Sequence, residues 1–155
     1  MQEIVDEIKR YRVDIVAKQE TRWKGQGEIR KSDFVLKYSG AEKQGQLGVG
    51  FIIMGKMKDK IIEFKPIGER MAYLRMETKP CKLSILNIYA PTEVSSDEDK
   101  EKIYELVEEE LESILKEDTR LIMGDFNVQI GKIHREGCRK THNPCEDKQQ
   151  WSKTF

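Results

Sequence analysis

Two carboxylates and one amide stand directly after short apolar runs of this sequence. Glu20 follows the run that begins at Val13, and Asp125 and Asn127 end the run that begins at Thr119. Carboxylates are hard oxygen ligands suited to Mg²⁺ or Mn²⁺, and an asparagine amide donates to a phosphate oxygen without repelling it. A site that cleaves a phosphodiester needs both kinds of group. An acid at a strand end is also common as a turn or helix-cap residue, so residue type and spacing leave both interpretations open.

The elements that must position these side chains include both helices and strands. Residues 1–12 carry apolar side chains at helical spacing, and residues 96–116 do so over a longer stretch that starts at Ser96 with Asp99 three residues later, as in a capping box. The order of the strands predicts a meander, and therefore a largely antiparallel or mixed sheet flanked by helices in an α/β fold. Strands are predicted at 13–17, 34–39, 47–54, 61–64, 71–78, 82–89 and 119–127, with a loop at 24–28 and a turn at 79–80.

Length and composition predict one domain. The chain has 155 residues, of which 37% are hydrophobic, and its 28 basic residues balance its 28 acidic ones. The apolar stretch at 48–54 is far shorter than the roughly 20 residues that a membrane span needs. The first residues are amphipathic and charged, unlike a signal peptide. We therefore expect no membrane role.

The cysteine content and the net charge bear on compartment and partners. Three widely spaced cysteines fit a reducing compartment better than a disulfide framework, which predicts a nuclear or cytoplasmic protein. A formal net charge of zero argues against a broad basic surface that binds nucleic acid through phosphates alone. It is compatible with a nuclease that has a small metal-filled cleft.

Four motifs occur in a characteristic order along the chain. They are QETRW at 19–23, GVGF at 48–51, NIYAPT at 87–92 and GDFN at 124–127. In this order and at these separations the sequence resembles the endonuclease/exonuclease/phosphatase superfamily. Within it, the sequence is most similar to the endonuclease domains of non-LTR retrotransposons and to craniofacial development protein 2-like proteins. The resemblance spans residues 1 to about 131.

The resemblance implies a four-layer α/β sandwich of the DNase I type and Mg²⁺- or Mn²⁺-dependent hydrolysis of DNA phosphodiester bonds. It implies that Glu20 ligates the metal, that Tyr89 lies near the scissile phosphate, and that Asp125 orients or activates the attacking water. Asn127 would hydrogen-bond the phosphate and stabilise the transition state. Tyr89 is also interpretable as a strand-end core aromatic, and Arg70 as an ordinary surface or packing residue.

The sequence departs from the family pattern at both ends. The family's first strand, with its metal-holding asparagine, has no match here, and neither does its second half with a terminal Ser-Asp-His motif. We therefore expect a partial domain at 1–131, an irregular or disordered tail at 132–155, and impaired activity. A catalytically inactive mobile-element remnant or interaction protein is the alternative. Half of a sandwich exposes the inner face of its sheet, which predicts self-association through that face.

The tail offers a separate metal hypothesis. His134, Cys138, His142 and Cys145 are ligand types that zinc accepts. Their spacing is not that of a standard zinc finger, so free thiols and exposed imidazoles are the favoured interpretation.

Overall fold

Most of the secondary structure in the computed structural model, which describes residues 2–42, 45 and 47–127, is β-strand. The helices are α1 (Gln2–Arg10) and α2 (Asp97–Ser113), and a 3₁₀ helix spans Gly55–Lys60. The strands are β1 (Ile15–Gln19), β2 (Gln26–Arg30), β3 (Phe34–Ser39), β4 (Val49–Met54), β5 (Ile61–Pro66), β6 (Met71–Met76), β7 (Leu83–Tyr89) and β8 (Thr119–Asp125).

The strands form two sheets of four strands each. The first has the order β1-β4-β3-β2 and is antiparallel throughout. The second has the order β5-β6-β7-β8, antiparallel except for the pair β7–β8, which is parallel because α2 carries the chain back across the sheet. The predicted α/β class with mostly antiparallel strands is confirmed.

The predicted meander is confirmed within each sheet, where β2–β3–β4 and β5–β6–β7 pair in sequence order. The two meanders do not join into one sheet. β4 is buried along its whole length and pairs with β1 on one side and β3 on the other, so it is a central strand of the first sheet. The chain then passes through the 3₁₀ helix and starts a second sheet at β5. Hydrophobic alternation locates strands along a chain, but it does not determine which strands pair.

The loop predicted at 24–28 was wrong in part, because β2 begins at Gln26. β2 pairs with β3 as a hairpin, in which Glu28 lies opposite Lys37 and forms an ion pair with it. Gly27 packs on the Tyr38 side chain, and a Cβ at this position would lie 2.7 Å from the tyrosine hydroxyl. Pairing and close packing therefore override the weak strand propensity of this stretch.

Hydrophobic clusters connect the elements. The largest draws on both sheets, and its fully buried members include Phe51 of β4 and Leu74 of β6. On β4, Ile52 belongs instead to a cluster with Val5 of α1, so the strand buries its two sets of side chains in different clusters. A third cluster packs apolar residues of α2 against Leu86 of β7 and its neighbours.

Both predicted helices are confirmed, and α2 starts where the capping pattern indicated. Ser96 accepts a hydrogen bond from the Asp99 amide at 3.2 Å. In the part of the chain that the structure describes, no helix has the length and apolar character needed to cross a membrane. The predicted tail at 132–155 and the four candidate zinc ligands lie outside the described residues.

Candidate active site

Glu20 is positioned by a strained turn at the end of β1. Its backbone has φ of +50°, a left-handed conformation that non-glycine residues rarely adopt. The following residues are fixed by backbone hydrogen bonds from Thr21 to Gly48 at 3.0 Å and from Arg22 to Leu47 at 2.8 Å. Strain that the surroundings hold in place is typical of functional positions.

A glycine makes this turn possible. Gly48 has φ of +104°, and a Cβ there would lie 2.3 Å from the Thr21 hydroxyl oxygen. The first glycine of the GVGF motif therefore serves the turn that presents Glu20.

Tyr89 ends β7 and joins Glu20 from the other sheet. Its hydroxyl donates a hydrogen bond to Glu20 Oε1 at 2.7 Å, and Arg22 donates to Glu20 Oε2 at 3.0 Å. The bond from Tyr89 is the main cause that lowers the pKa of Glu20, and Arg22 adds to it. The same bond raises the pKa of Tyr89. At neutral pH the pair is therefore a carboxylate and a neutral phenol.

Arg70, interpreted from sequence as a surface or packing residue, packs on Tyr89. Its guanidinium lies over the ring, 5.4 Å from the centroid, and donates to the carbonyl oxygens of Tyr89 and Ala90, each at 3.3 Å. The Tyr89 amide in turn donates to the Arg70 carbonyl at 2.8 Å. Arg70 thus fixes both the ring and the backbone at the end of β7. Its sequence context gave no signal for this contact.

Asp125 and Asn127 lie beside Tyr89 because β8 runs parallel to β7. Asp125 pairs with Tyr89 in the strand register, and its carbonyl accepts from the Ala90 amide at 2.8 Å. Asp125 Oδ1 accepts from the Asn127 amide at 3.0 Å, and Asn127 Nδ2 donates to the Ala90 carbonyl at 2.7 Å. Asn127 has φ of +47°, which asparagine tolerates better than most residues. The strand ends thus bring Glu20, Tyr89, Asp125 and Asn127 to one region.

Gly124 allows β8 to approach β7 closely. A Cβ at Gly124 would lie 1.9 Å from the Ile88 carbonyl oxygen, and the residue has φ of +154°. The glycine of the GDFN motif is therefore required by the geometry that sets Asp125 beside Tyr89.

A buried amide links the two sheets next to this region. Asn87 is fully buried, accepts a hydrogen bond from the Gln19 side chain at 2.6 Å, and donates to the carbonyls of Lys18 and Gly50 at 3.1 and 2.8 Å. Sequence reasoning assigned Asn87 no role. The signal was its amide inside a largely apolar strand, since a buried polar group needs partners.

The donor set fits a hard divalent cation that is held by few protein ligands. Among the described residues, no three histidine, cysteine, aspartate or glutamate side chains cluster closely enough to hold a metal. Mg²⁺, however, is commonly bound through one or two carboxylates, waters and substrate oxygens. The Glu20 side chain is 48% exposed and its pKa is lowered, so it offers an ionised carboxylate to solvent. Each of its oxygens accepts one hydrogen bond and keeps a further lone pair.

The fold and this region define an α/β protein whose polar strand ends meet where two sheets adjoin. No family model matches the chain. It is 30% identical over 128 residues to craniofacial development protein 2 of Bos taurus, and equally to that of Tragulus javanicus. Each match covers 83% of this chain and 22% of the relative, so the chain spans about a fifth of the length of these proteins. The predicted relation to craniofacial development protein 2 is confirmed as distant homology over that part.

Proposed function

We propose that this chain carries part of the site of a Mg²⁺- or Mn²⁺-dependent endonuclease that hydrolyses DNA phosphodiester bonds. The observation that supports the proposal best is the 2.7 Å hydrogen bond between Tyr89 and Glu20, with Asp125 paired to Tyr89 in the register of the second sheet. These residue types are the ones that the resemblance to the endonuclease/exonuclease/phosphatase superfamily implies. The four-layer sandwich belongs to the same proposal, supported by the cluster shared between the sheets.

Each residue has a role in keeping with its contacts. Glu20 is the metal ligand, and Tyr89 keeps its carboxylate in one orientation by donating to Oε1. Asp125 has one oxygen engaged by the Asn127 amide and a second one to orient or activate water. Asn127 Nδ2 carries a second N–H beyond the one donated to Ala90, and this N–H can donate to a phosphate oxygen. A bound Mg²⁺ would supply charge stabilisation for the phosphoryl oxygens.

The rate of this chain is expected to be low. The chain's histidines, His134 and His142, do not stand in a Ser-Asp-His motif of the kind that the family pattern implies. Catalytic groups that act as a unit are not additive, so the loss of one partner removes most of the rate. This observation favours the second candidate, a catalytically inactive remnant or interaction protein. In either case DNA is the proposed partner, and the nucleus or cytoplasm the proposed location.

Nicking of supercoiled plasmid DNA by the purified chain, with Mg²⁺ or with Mn²⁺, tests the proposal. Glu20→Gln and Asp125→Asn remove one charge each without changing shape, and Glu63→Gln makes the same change at an exposed position on β5. We expect nicking by the wild type and by Glu63→Gln that is lost in the other two variants.

Direct metal binding separates the two candidate functions. Titration of Mn²⁺, followed by electron paramagnetic resonance, should show weaker binding to Glu20→Gln than to Glu63→Gln. Binding without nicking would support the inactive remnant, whereas equal Mn²⁺ affinity in both variants would contradict the assignment of Glu20 as a ligand.

A further inference from the structure

The outer strands of the two sheets differ in how well they are protected against pairing with another chain. β2 carries Glu28 and Arg30, and β5 carries Glu63, Lys65 and Pro66 with a register shift near its start. Charges, proline and bulges are the devices by which natural sheets block edge pairing. One edge of each sheet is therefore protected.

The other two edges are less well protected. β1 carries one charge, Lys18, and the two charges of β8, Arg120 and Asp125, lie near its ends; neither strand has a proline or a register shift. Among the described residues, β1 and β8 are the remaining outer strands, and they contact each other across the two sheets, so both less protected edges lie on the same side of the molecule. The run from Leu121 to Gly124 on β8 is uncharged. Leu121 is 42% exposed and Ile122 41% exposed, although they point to opposite faces of the strand. Long apolar edge strands of this kind are templates for strand addition.

The residues of β8 direct their backbone N–H and C=O groups alternately towards β7 and towards the opposite edge of the strand. The Thr119 amide donates to the Lys82 carbonyl, and the Asp125 carbonyl accepts from the Ala90 amide, both at 2.8 Å on the β7 side. In a strand the backbone groups of alternate residues point to the same side. Arg120, Ile122 and Gly124 therefore direct their N–H and C=O groups away from β7.

We propose that β8 pairs antiparallel with β8 of a second copy of this chain, centred on Ile122. The three outward residues are spaced symmetrically about Ile122, so this register gives each of them a partner. Ile122 lies opposite Ile122 of the second copy, and Arg120 lies opposite Gly124 of the second copy. A two-fold axis perpendicular to the sheet keeps each face on its own side, as an isologous interface requires. The two second sheets become one sheet of eight strands.

The side chains fit this register. Leu121 lies opposite Met123 of the other copy on one face, and the two Ile122 side chains meet on the other. Arg120 lies opposite a glycine, and Asp125 lies opposite Thr119, so no like charges meet. The sequence of β8 is thus complementary to itself in charge and in apolar character. For this reason we infer that the partner of this edge is a second copy of the chain.

The molar mass of the full chain, measured by light scattering across a concentration series, tests the pairing. We expect the wild type to approach twice the 18.1 kDa of one chain. Ile122→Lys places two ammonium groups directly opposite each other and should keep the mass of a single chain at the same concentrations. Ile62→Lys is the matched control, because Ile62 is an exposed isoleucine (44%) on the protected edge β5, and it should associate like the wild type.

Amide hydrogen exchange tests the main-chain pairing directly. On association, the amides of Arg120, Ile122 and Gly124 should become protected, whereas those of Leu121 and Met123, already directed towards β7, should change little. If circular dichroism shows that Ile122→Lys is unfolded, Ile122→Thr replaces it, since threonine retains strand propensity; we expect it to weaken association about tenfold.

Three results would overturn the proposal. They are a wild type with the mass of one chain throughout the series, an Ile62→Lys variant that dissociates as Ile122→Lys does, and a mass that keeps rising beyond two chains. The pairing does not depend on the proposed nuclease activity, so a chain that fails to nick DNA leaves it intact.

Discussion

Gln19 of the first sheet donates a hydrogen bond to the buried side chain of Asn87 in the second, across 2.6 Å. Asn87 returns two hydrogen bonds to backbone carbonyls of the first sheet, at Lys18 and Gly50. The side-chain amide of Asn87 thus forms hydrogen bonds with both β1 and β4. Glu20 directly follows Gln19, and Tyr89 lies two residues after Asn87. The link between the sheets therefore also fixes the distance between Glu20 and Tyr89.

We predict that Asn87→Leu destabilises the fold by about 2 to 4 kcal/mol. The substitution keeps the volume similar but removes three hydrogen bonds, one from each of two carbonyls and one from the Gln19 amide, and the loss of a buried hydrogen-bond partner costs about 1 to 3 kcal/mol. Urea denaturation measures the change. Gln26→Leu, which alters an exposed amide on β2, should stay within about 0.5 kcal/mol of the wild type. Equal stability of the two variants would show that the link between the sheets contributes nothing.

We predict that Tyr89→Phe weakens Mn²⁺ binding about tenfold while leaving the fold intact. The hydroxyl lost by this change holds Glu20 Oε1, and outer partners of a metal ligand typically contribute tenfold or more to affinity. Tyr73→Phe removes a hydroxyl from the same sheet, where its partner is Ser84 and not Glu20, and should bind Mn²⁺ like the wild type. Equal affinity in both variants would remove Tyr89 from the site.

We predict that Gly124→Ala destabilises the fold by about 2 to 4 kcal/mol, since the new methyl group would lie 1.9 Å from the Ile88 carbonyl oxygen and β8 must move. Gly68→Ala is the control, because a Cβ at Gly68 meets nothing within 4 Å. Thermal unfolding of both variants measures the difference. A melting temperature of Gly124→Ala equal to that of Gly68→Ala would contradict the close approach of β7 and β8.

Asp118 provides a prediction about pH. Its buried carboxylate accepts from Arg75 at 2.7 and 3.0 Å and from Ser84 at 2.7 Å, and these bonds, that of Arg75 first, hold its pKa below the usual value. A lowered pKa stabilises the fold above the ordinary value of about 3.9, and that stability is lost as the pH falls through the folded-state pKa. We therefore expect Asp118→Asn to be less stable than the wild type at pH 7, with the gap closing under acid conditions.

Urea midpoints measured at neutral and at acid pH give this difference. Glu117→Gln changes the exposed neighbouring carboxylate and should follow the wild type at every pH. A gap between Asp118→Asn and the wild type that stays constant down to acid pH would show that ionisation of Asp118 does not stabilise the fold.

The local elements of this fold were predictable from the sequence because their signals are local. Strand β3 was predicted at 34–39 from its apolar run, and α2 from its periodicity and from Ser96. β2 was missed because its stability comes from pairing with β3 and from the Glu28–Lys37 ion pair, neither of which hydrophobic alternation registers. For the same reason the strand pattern did not indicate the division into two sheets, which only the resemblance to a four-layer sandwich implied.

The candidate site was predictable only in part. The positions of polar residues at strand ends indicated Glu20 and Asp125. Only the resemblance indicated that Tyr89 belongs to the same site, since Tyr89 lies 69 residues from Glu20 in sequence. Arg70 was interpreted as an ordinary surface or packing residue, because a guanidinium stacked on an aromatic ring has no signature in one sequence. The roles of these residues in catalysis remain predictions.

The order of the strands also has a consequence for folding kinetics. β2, β3 and β4 are neighbours in sequence, as are β5, β6 and β7, so each set can form through short-range hairpins, whereas β1–β4 and β7–β8 close long loops. Long-range pairings form late, because the chain loses the entropy of closing the loop before the new contacts can stabilise it. Glu20 and Asp125 both sit on the late pairings, so we expect the candidate site to be the last region to assemble on refolding and the first to open.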